Sequence, residues 1–271
     1  MDEHTHLPQM NQLSVLASTI LLAYALTPFV NIPVTSLTLR LPFAVFTFSL
    51  NFSTIVSILV AALAGFGADW LLRSHPHRES KTTIDHSLLP ALTAWVIGIP
   101  LSSLGFGLGW WILFAIGGIL LVLIFVAEYI VVDFSDVRFG PAAGGLSALS
   151  FALFLILAIS IRSTGLRLYL ALPALAVPIF LISLRTLYLR TNGQWHLVWA
   201  AGITLVILQI AIGLQYLPVS PLGYGLYLVG PAYAITTAAV SIEEGRSLRS
   251  FWPEPVVVLV LLVLLAFAFG G

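Results

Sequence analysis

The chain has 271 residues, of which 59% are hydrophobic and only 8% are charged, with 11 acidic and 11 basic side chains. Soluble domains carry about 25% charged residues, so an ordinary soluble fold is excluded. A formal net charge of zero likewise excludes a basic surface for nucleic acid. The chain contains no cysteine, which excludes disulfides and thiolate metal sites. The composition predicts an all-α fold, a single integral membrane domain over residues 1–271 in contact with a lipid bilayer.

Nine apolar segments approach or exceed the length of about 20 residues that a membrane-spanning helix needs. In lipid the backbone must satisfy its own hydrogen bonds, so such segments are expected to be helices. The third and last segments are the shortest, and the second is long enough to tilt or to begin with an interfacial turn over Phe43–Ser49. The predicted spans are Leu13–Val30, Phe43–Leu72, Leu88–Leu104, Trp110–Val132, Ala142–Ile161, Leu168–Leu189, Trp195–Tyr216, Gly223–Ile242 and Pro255–Phe269.

The segments between the spans are short. Residues 1–12 form a polar tail, and the longest polar connection is Ser74–Ser87. Ser36–Leu41 alternates between polar and apolar residues, which predicts a short extended segment at the membrane interface. Glycine and proline in Leu104–Gly109 and Leu217–Gly225 predict tight turns.

The orientation follows from the basic residues, because lysine and arginine accumulate in cytoplasmic loops. With a cytoplasmic N-terminus, eight basic residues lie on or near the cytoplasmic side and three lie outside. The inner set is Arg73, Arg78, Lys81, Arg138, Arg185, Arg190, Arg246 and Arg249, and the outer set is Arg40, Arg162 and Arg167. The sequence therefore predicts a cell (cytoplasmic) membrane protein with its N-terminus inside, and its tail (1–12) and the loop 74–87 in the cytoplasm.

A layer of charged side chains is predicted near the cytoplasmic face, formed by Asp69, Glu128, Arg185 and Glu243. The first three lie roughly 6–8 Å inside their helix ends, at a rise of 1.5 Å per residue. Ionisable groups inside a membrane are candidates for function, and Arg185 is the predicted counter-ion of Glu128 or Asp69. The alternative is that these charges pair for structure or extend to the lipid headgroups.

An acidic loop follows the fourth span, where Asp133 and Asp136 come shortly after Glu128. Three carboxylates could hold Mg²⁺, which usually brings phosphate with it. Nine spans with acidic cytoplasmic loops resemble the topology of UbiA-type prenyltransferases, which implies lipid-phosphate or prenyl transfer. The sequence departs from that family's motifs, because Asp69-Trp-Leu-Leu-Arg73 follows the second span and the loop after the sixth has no acid. The alternative is a solvated acidic loop.

Two pairs of histidines, His4 with His6 and His75 with His77, lie in segments predicted to be cytoplasmic. Histidine is a common metal ligand, but no closed ligand set is visible, so neither a metal nor a cofactor is predicted. His196, at the start of a span, is predicted to be interfacial.

Prolines interrupt three of the predicted spans. Pro173 and Pro178 lie in the sixth, Pro231 lies in the eighth, and Pro100 follows Gly98 in the third. Each removes a helix hydrogen bond, so these are candidate helix breaks of the kind that line transporter sites. Gln209 and Asn51 add amides within spans. The alternative is that prolines are tolerated in membrane helices and that lone amides form packing contacts.

Three classes of function remain open. The first is a non-catalytic scaffold, assembly factor or accessory subunit, whose partner is another membrane protein or a second copy of the chain. The second is a small-solute or ion-coupled transporter that uses the kinked helices and the layer of Glu128 and Arg185. The third is a lipid-modifying enzyme with Mg²⁺ at Asp133, Asp136 and Glu128.

Overall fold

The computed structural model describes residues 9–30, 35–41, 44–50, 52–73, 84–133, 136–191, 193–246 and 252–269. Within these ranges the chain forms one β-hairpin and nine α-helices. In chain order the elements are α1 (Met10–Leu26), β1 (Thr35–Leu41), β2 (Ala44–Leu50), α2 (Phe52–Leu72), α3 (Ile84–Ser103), α4 (Leu108–Ile130), α5 (Phe139–Ser163), α6 (Leu168–Arg190), α7 (Leu197–Gln215), α8 (Pro221–Glu243) and α9 (Pro253–Phe269).

The predicted helical membrane bundle is confirmed. Seven of the described helices are long and apolar enough to cross a membrane, and two shorter apolar helices lie within α3 and α9. These two are the segments that the sequence marks as short. The protein is therefore an integral membrane protein with about nine helices.

The predicted start of the second span is wrong. The helix α2 begins at Phe52, whereas Ala44–Leu50 forms strand β2, antiparallel to β1 and with Thr35 opposite Leu50. The extended segment predicted over Ser36–Leu41 is confirmed as part of β1. The physical reason is that residues 44–50 also alternate and are rich in aromatic and β-branched types, which favour a strand over a helix.

Contacts divide the chain into two compact units, Met1–Val132 and Asp133–Gly271. In the first unit, α1 contacts both α2 and α4, and α3 contacts both α2 and α4, so the four helices surround a common core. Ile20, Val60, Ala64 and Ala94 are fully buried in that core. The hydroxyl of Tyr24 donates a hydrogen bond to the carbonyl of Ala94, which joins α1 to α3.

The second unit repeats this order of neighbours and adds one helix. Here α5 contacts α6 and α8, α7 contacts α6 and α8, and α9 packs against α8. Glycine permits the closest approach, because a Cβ atom at Gly225 of α8 would lie 2.8 Å from Leu155 and 2.9 Å from Ile159 of α5. This contact fixes the separation of α5 and α8.

Gly225→Val is expected to lower the melting temperature of the purified protein by several degrees, because overpacking a helix contact costs about 1–3 kcal/mol. Gly144→Val is the matched control, since a Cβ at Gly144 of α5 meets no atom within 4 Å. Both changes have the same effect on helix propensity. Thermal unfolding in detergent measures the difference, and equal melting temperatures would contradict the close contact.

Candidate functional site

Glu128 is the most deeply buried carboxylate among the described residues, with 1% of its side chain exposed. It lies in the last turn of α4, and His86 lies in the first turn of α3. Because the two helices are antiparallel neighbours, these turns meet, and Nδ1 of His86 lies 2.9 Å from Oε2 of Glu128. The histidine is itself 12% exposed. A hydrogen-bonded acid–imidazole pair therefore joins α3 to α4 inside the first unit.

Asp69, in the same unit, has a different environment. Its Oδ2 accepts hydrogen bonds from Nε of Arg73 at 2.9 Å and from Nη2 at 2.6 Å, and Arg73 directly follows the last residue of α2. The arginine is 64% exposed, so this pair contributes about 0–1 kcal/mol, as surface ion pairs usually do. Glu128 and Asp69 therefore differ in burial, although the sequence predicts that they lie at the same depth below the membrane face.

Arg185 lies in α6 of the second unit with 2% of its surface exposed, and its guanidinium lies 5.4 Å from the ring centre of Tyr188. Each of the helices α5 to α8 has buried hydroxyl side chains in the half predicted to face the cytoplasm. Those that are buried are Ser147, Ser150, Ser183, Thr186, Thr204, Thr236, Thr237 and Ser241. Several donate to a carbonyl of their own helix, as Ser150 does to Leu146 at 2.7 Å, and this leaves the oxygen free to accept.

Glu243 ends α8 in the second unit. Its Oε1 accepts a hydrogen bond from the indole of Trp199 at 2.6 Å and lies 3.8 Å from Nδ1 of His196. His196 and Trp199 lie at the start of α7. Each unit therefore places a histidine at the start of its third helix beside a glutamate at the end of its fourth.

The pairing of Arg185 with Glu128 stays a prediction, since Glu128 belongs to the first unit and Arg185 to the second. The acidic loop belongs to the second unit from Asp133 onward, and Oδ1 of Asp136 accepts the backbone N–H of Arg138 at 2.8 Å. Asp136 thus helps to order the turn that leads into α5. Over the described part of the chain, no group of three or more histidine and acidic side chains has an arrangement that could hold a metal ion.

The candidate helix breaks lie inside continuous helices. Pro173 and Pro178 are within α6 and Pro231 is within α8, and neither helix is interrupted. The predicted interruptions therefore do not occur in the secondary structure, because a membrane helix tolerates the loss of single hydrogen bonds when neighbouring groups compensate. His4, His6, His75, His77 and Asn51 lie outside the described residues.

Arg162 organises the opposite end of the second unit. Its Nη1 donates to Oε1 of Gln215 at 3.0 Å and its Nη2 donates to the carbonyl of Leu217 at 3.1 Å. The guanidinium also lies 5.3 Å from the ring centre of Tyr224. One arginine thus joins the end of α5 to the end of α7 and the start of α8. Sequence reasoning missed this role, as it missed His86 and Trp199, because none of these partners is close in sequence.

Gln209 is exposed on α7. It lies about 18 Å beyond the first residue of α7 and about 9 Å before the last, at 1.5 Å per residue. Among the hydrogen bonds of the described residues, none involves its amide. Gly202, Val206 and Gly213 are exposed on the same helix face, and a Cβ at either glycine would meet no atom within 4 Å. We call these four residues the α7 face.

Fold and polar groups together define the class, a polytopic helical membrane protein with charged and amide groups inside its apolar spans. The family model described as "Protein of unknown function (DUF5656)" matches residues 32–269. The chain belongs to this family, whose description names no activity. No curated protein and no solved structure matches it.

Glu128→Gln and Arg185→Met are each expected to destabilise the protein by about 1.5–3 kcal/mol, because each removes a buried charge from its contacts. Glu244→Gln is the control, since Glu244 pairs with the largely exposed Arg246, and it should change stability by less than about 1 kcal/mol. Chemical unfolding in detergent measures the stability of all three variants. Equal free energies of unfolding would contradict a role for the layer of buried charges.

Arg162→Lys is expected to lower the free energy of unfolding by about 1–2 kcal/mol, the size of one hydrogen bond from a charged group. The reason is that a lysine ammonium does not reproduce the fork that contacts Gln215 and Leu217. Arg167→Lys makes the same exchange at an exposed arginine next to the same turn and should be neutral. Melting temperatures of the two variants test this role, and a neutral result at Arg162 would contradict it.

Proposed function

We propose that the protein is a non-catalytic subunit of a larger assembly in the cell membrane, acting as a scaffold, assembly factor or accessory subunit. The observation that carries this proposal is the outward position of Gln209 on an apolar membrane helix. In the proposed assembly, the side chain of Gln209 contacts a partner protein instead of lipid.

The energetic argument concerns the amide of Gln209. Lipid offers no hydrogen-bond partner, and an unsatisfied amide in an apolar environment costs on the order of 1–3 kcal/mol by protein mutational data. The side chain is too short to cross the remaining 9 Å or so of helix to the nearer interface. A partner helix satisfies the amide, and interhelical hydrogen bonds of this kind contribute about 1–2 kcal/mol in model peptides.

The composition of the α7 face supports a helix as the partner. Membrane helices associate through small residues that let their backbones approach closely. Gly202 and Gly213 flank Gln209 on the exposed side, and both have open space where a Cβ would lie. The face thus combines a polar group with the small residues that a close helix contact requires.

A second candidate, small-solute or ion-coupled transport, is favoured by the buried Arg185 and by the buried hydroxyl side chains of the same unit. Buried ionisable groups in membrane proteins frequently mark substrate or ion pathways. The hydroxyls of Ser183 and Thr186 lie on either side of Arg185 in sequence and are fully or almost fully buried. This candidate requires that solute flux into reconstituted vesicles be lost in Arg185→Met and kept in Glu244→Gln.

The subunit proposal is tested by the mass of the protein extracted from its native membrane in mild detergent. The unaltered chain is expected to elute in light scattering as a species larger than the monomer, and Gln209→Leu is expected to shift it towards the monomer. Gln194→Leu makes the same exchange at an exposed residue before α7 and should leave the mass unchanged. A monomeric unaltered chain would overturn the proposal.

A further inference from the structure

We infer that the partner of the α7 face is a second copy of this chain, joined through α7 of each protomer about a two-fold axis along the membrane normal. This inference rests on the proposed function, because it names the partner of the same helix face. The occupant follows from three features of the face: the chemistry of its amide, its depth in the membrane and the spacing of its residues.

The side chain of Gln209 is complementary to itself. A glutamine amide carries one acceptor oxygen and two N–H donors, so two glutamines can each donate to and accept from the other. A two-fold interface places the same patch on both subunits and requires this self-complementarity. A charged group at position 209 would repel its copy, whereas an amide does not.

The depth of Gln209 favours the same chain over a different one. Two copies inserted in one orientation hold α7 parallel, so the two Gln209 side chains lie at the same level in the membrane. A different protein satisfies the amide only if it has a polar group at that level. A second copy of this chain always has such a polar group, its own Gln209, at that level.

The spacing of the α7 face suits a parallel helix pair. Gly202, Val206, Gln209 and Gly213 are separated by four, three and four residues, which is the spacing of the two core positions in a heptad. At 100° per residue the four fall within an arc of about 60°. The glycines occupy the two ends of the contact and the glutamine lies between them, so close approach of the backbones brings the amides into range.

Two other exposed helix faces lack this combination. The outer face of α9 is formed by large apolar side chains such as Val257, Leu261 and Leu264, which suit lipid as well as they suit protein. The face of α5 with Gly140, Gly144 and Ala148 is small and exposed but has no polar side chain. Only the α7 face, among these three, has a group that lipid leaves unsatisfied.

The experiment uses the natural absence of cysteine, so that each added cysteine is the only one. Val206→Cys places a thiol on the α7 face, and Ile119→Cys is its matched control, an exposed apolar residue near the middle of α4. Each variant is expressed as two differently tagged copies of the full chain, oxidised in intact membranes and purified through one tag. Recovery of the other tag in a disulfide-linked species measures contact between copies.

The expected result is at least a several-fold higher yield of linked copies for Val206→Cys than for Ile119→Cys. Adding Gln209→Leu to Val206→Cys should weaken association about 5- to 30-fold, the change expected for one interhelical hydrogen bond. Adding Gln194→Leu instead should leave the yield unchanged.

Four outcomes would overturn the inference. Equal yields at Val206 and Ile119 exclude contact of two α7 helices, and an unchanged yield with Gln209→Leu excludes the amide as its cause. If the purified assembly contains one copy of this chain together with a different polypeptide, the inference of a second copy is wrong, whereas the proposal that the protein is a subunit stands. If the unaltered chain is a monomer when it is extracted from its native membrane, both the inference of a second copy and the subunit proposal are wrong.

Discussion

Lipid offers no hydrogen bonds, and this constraint governs the whole structure. Backbone groups inside the apolar spans are satisfied by helix formation. Several of the buried hydroxyls donate to carbonyls of their own helices, as Thr236 does to Ala232 at 2.7 Å. The buried carboxylate of Glu128 meets the imidazole of His86. The amide of Gln209 is exposed on an apolar helix and makes no hydrogen bond to the described residues, which is why it carries the proposed function.

Antiparallel helix neighbours explain where the polar contacts form. A short connection between two helices places the start of one beside the end of the next, so side chains far apart in sequence meet near a membrane face. His86 and Glu128 meet in this way in the first unit, and Trp199 and Glu243 in the second. The common order of helix contacts in the two units accounts for the similar placement, although no repeat is visible in the sequence itself.

The strands and the prolines show where the local sequence pattern decides the secondary structure and where packing and lipid override it. The alternation of Ser36–Leu41 correctly indicates a strand, and the same alternation in Ala44–Leu50 was obscured by its continuity with the apolar run of α2. Pro173 and Pro178 locally favour an interruption, yet α6 continues through both. Helix packing and the lipid environment make a helix with a missing hydrogen bond preferable to an unpaired segment.

The sequence by itself determined the helical membrane class, the approximate limits of most spans and the concentration of charged residues near helix ends. These follow from composition and from hydrophobic length, which act locally along the chain. Only the tertiary structure decided which charge is buried beside a histidine, which arginine joins three helix ends and which face of α7 is exposed. Partners such as Arg162 and Gln215 are 53 residues apart, and the rotation of each helix about its axis depends on packing against all of its neighbours.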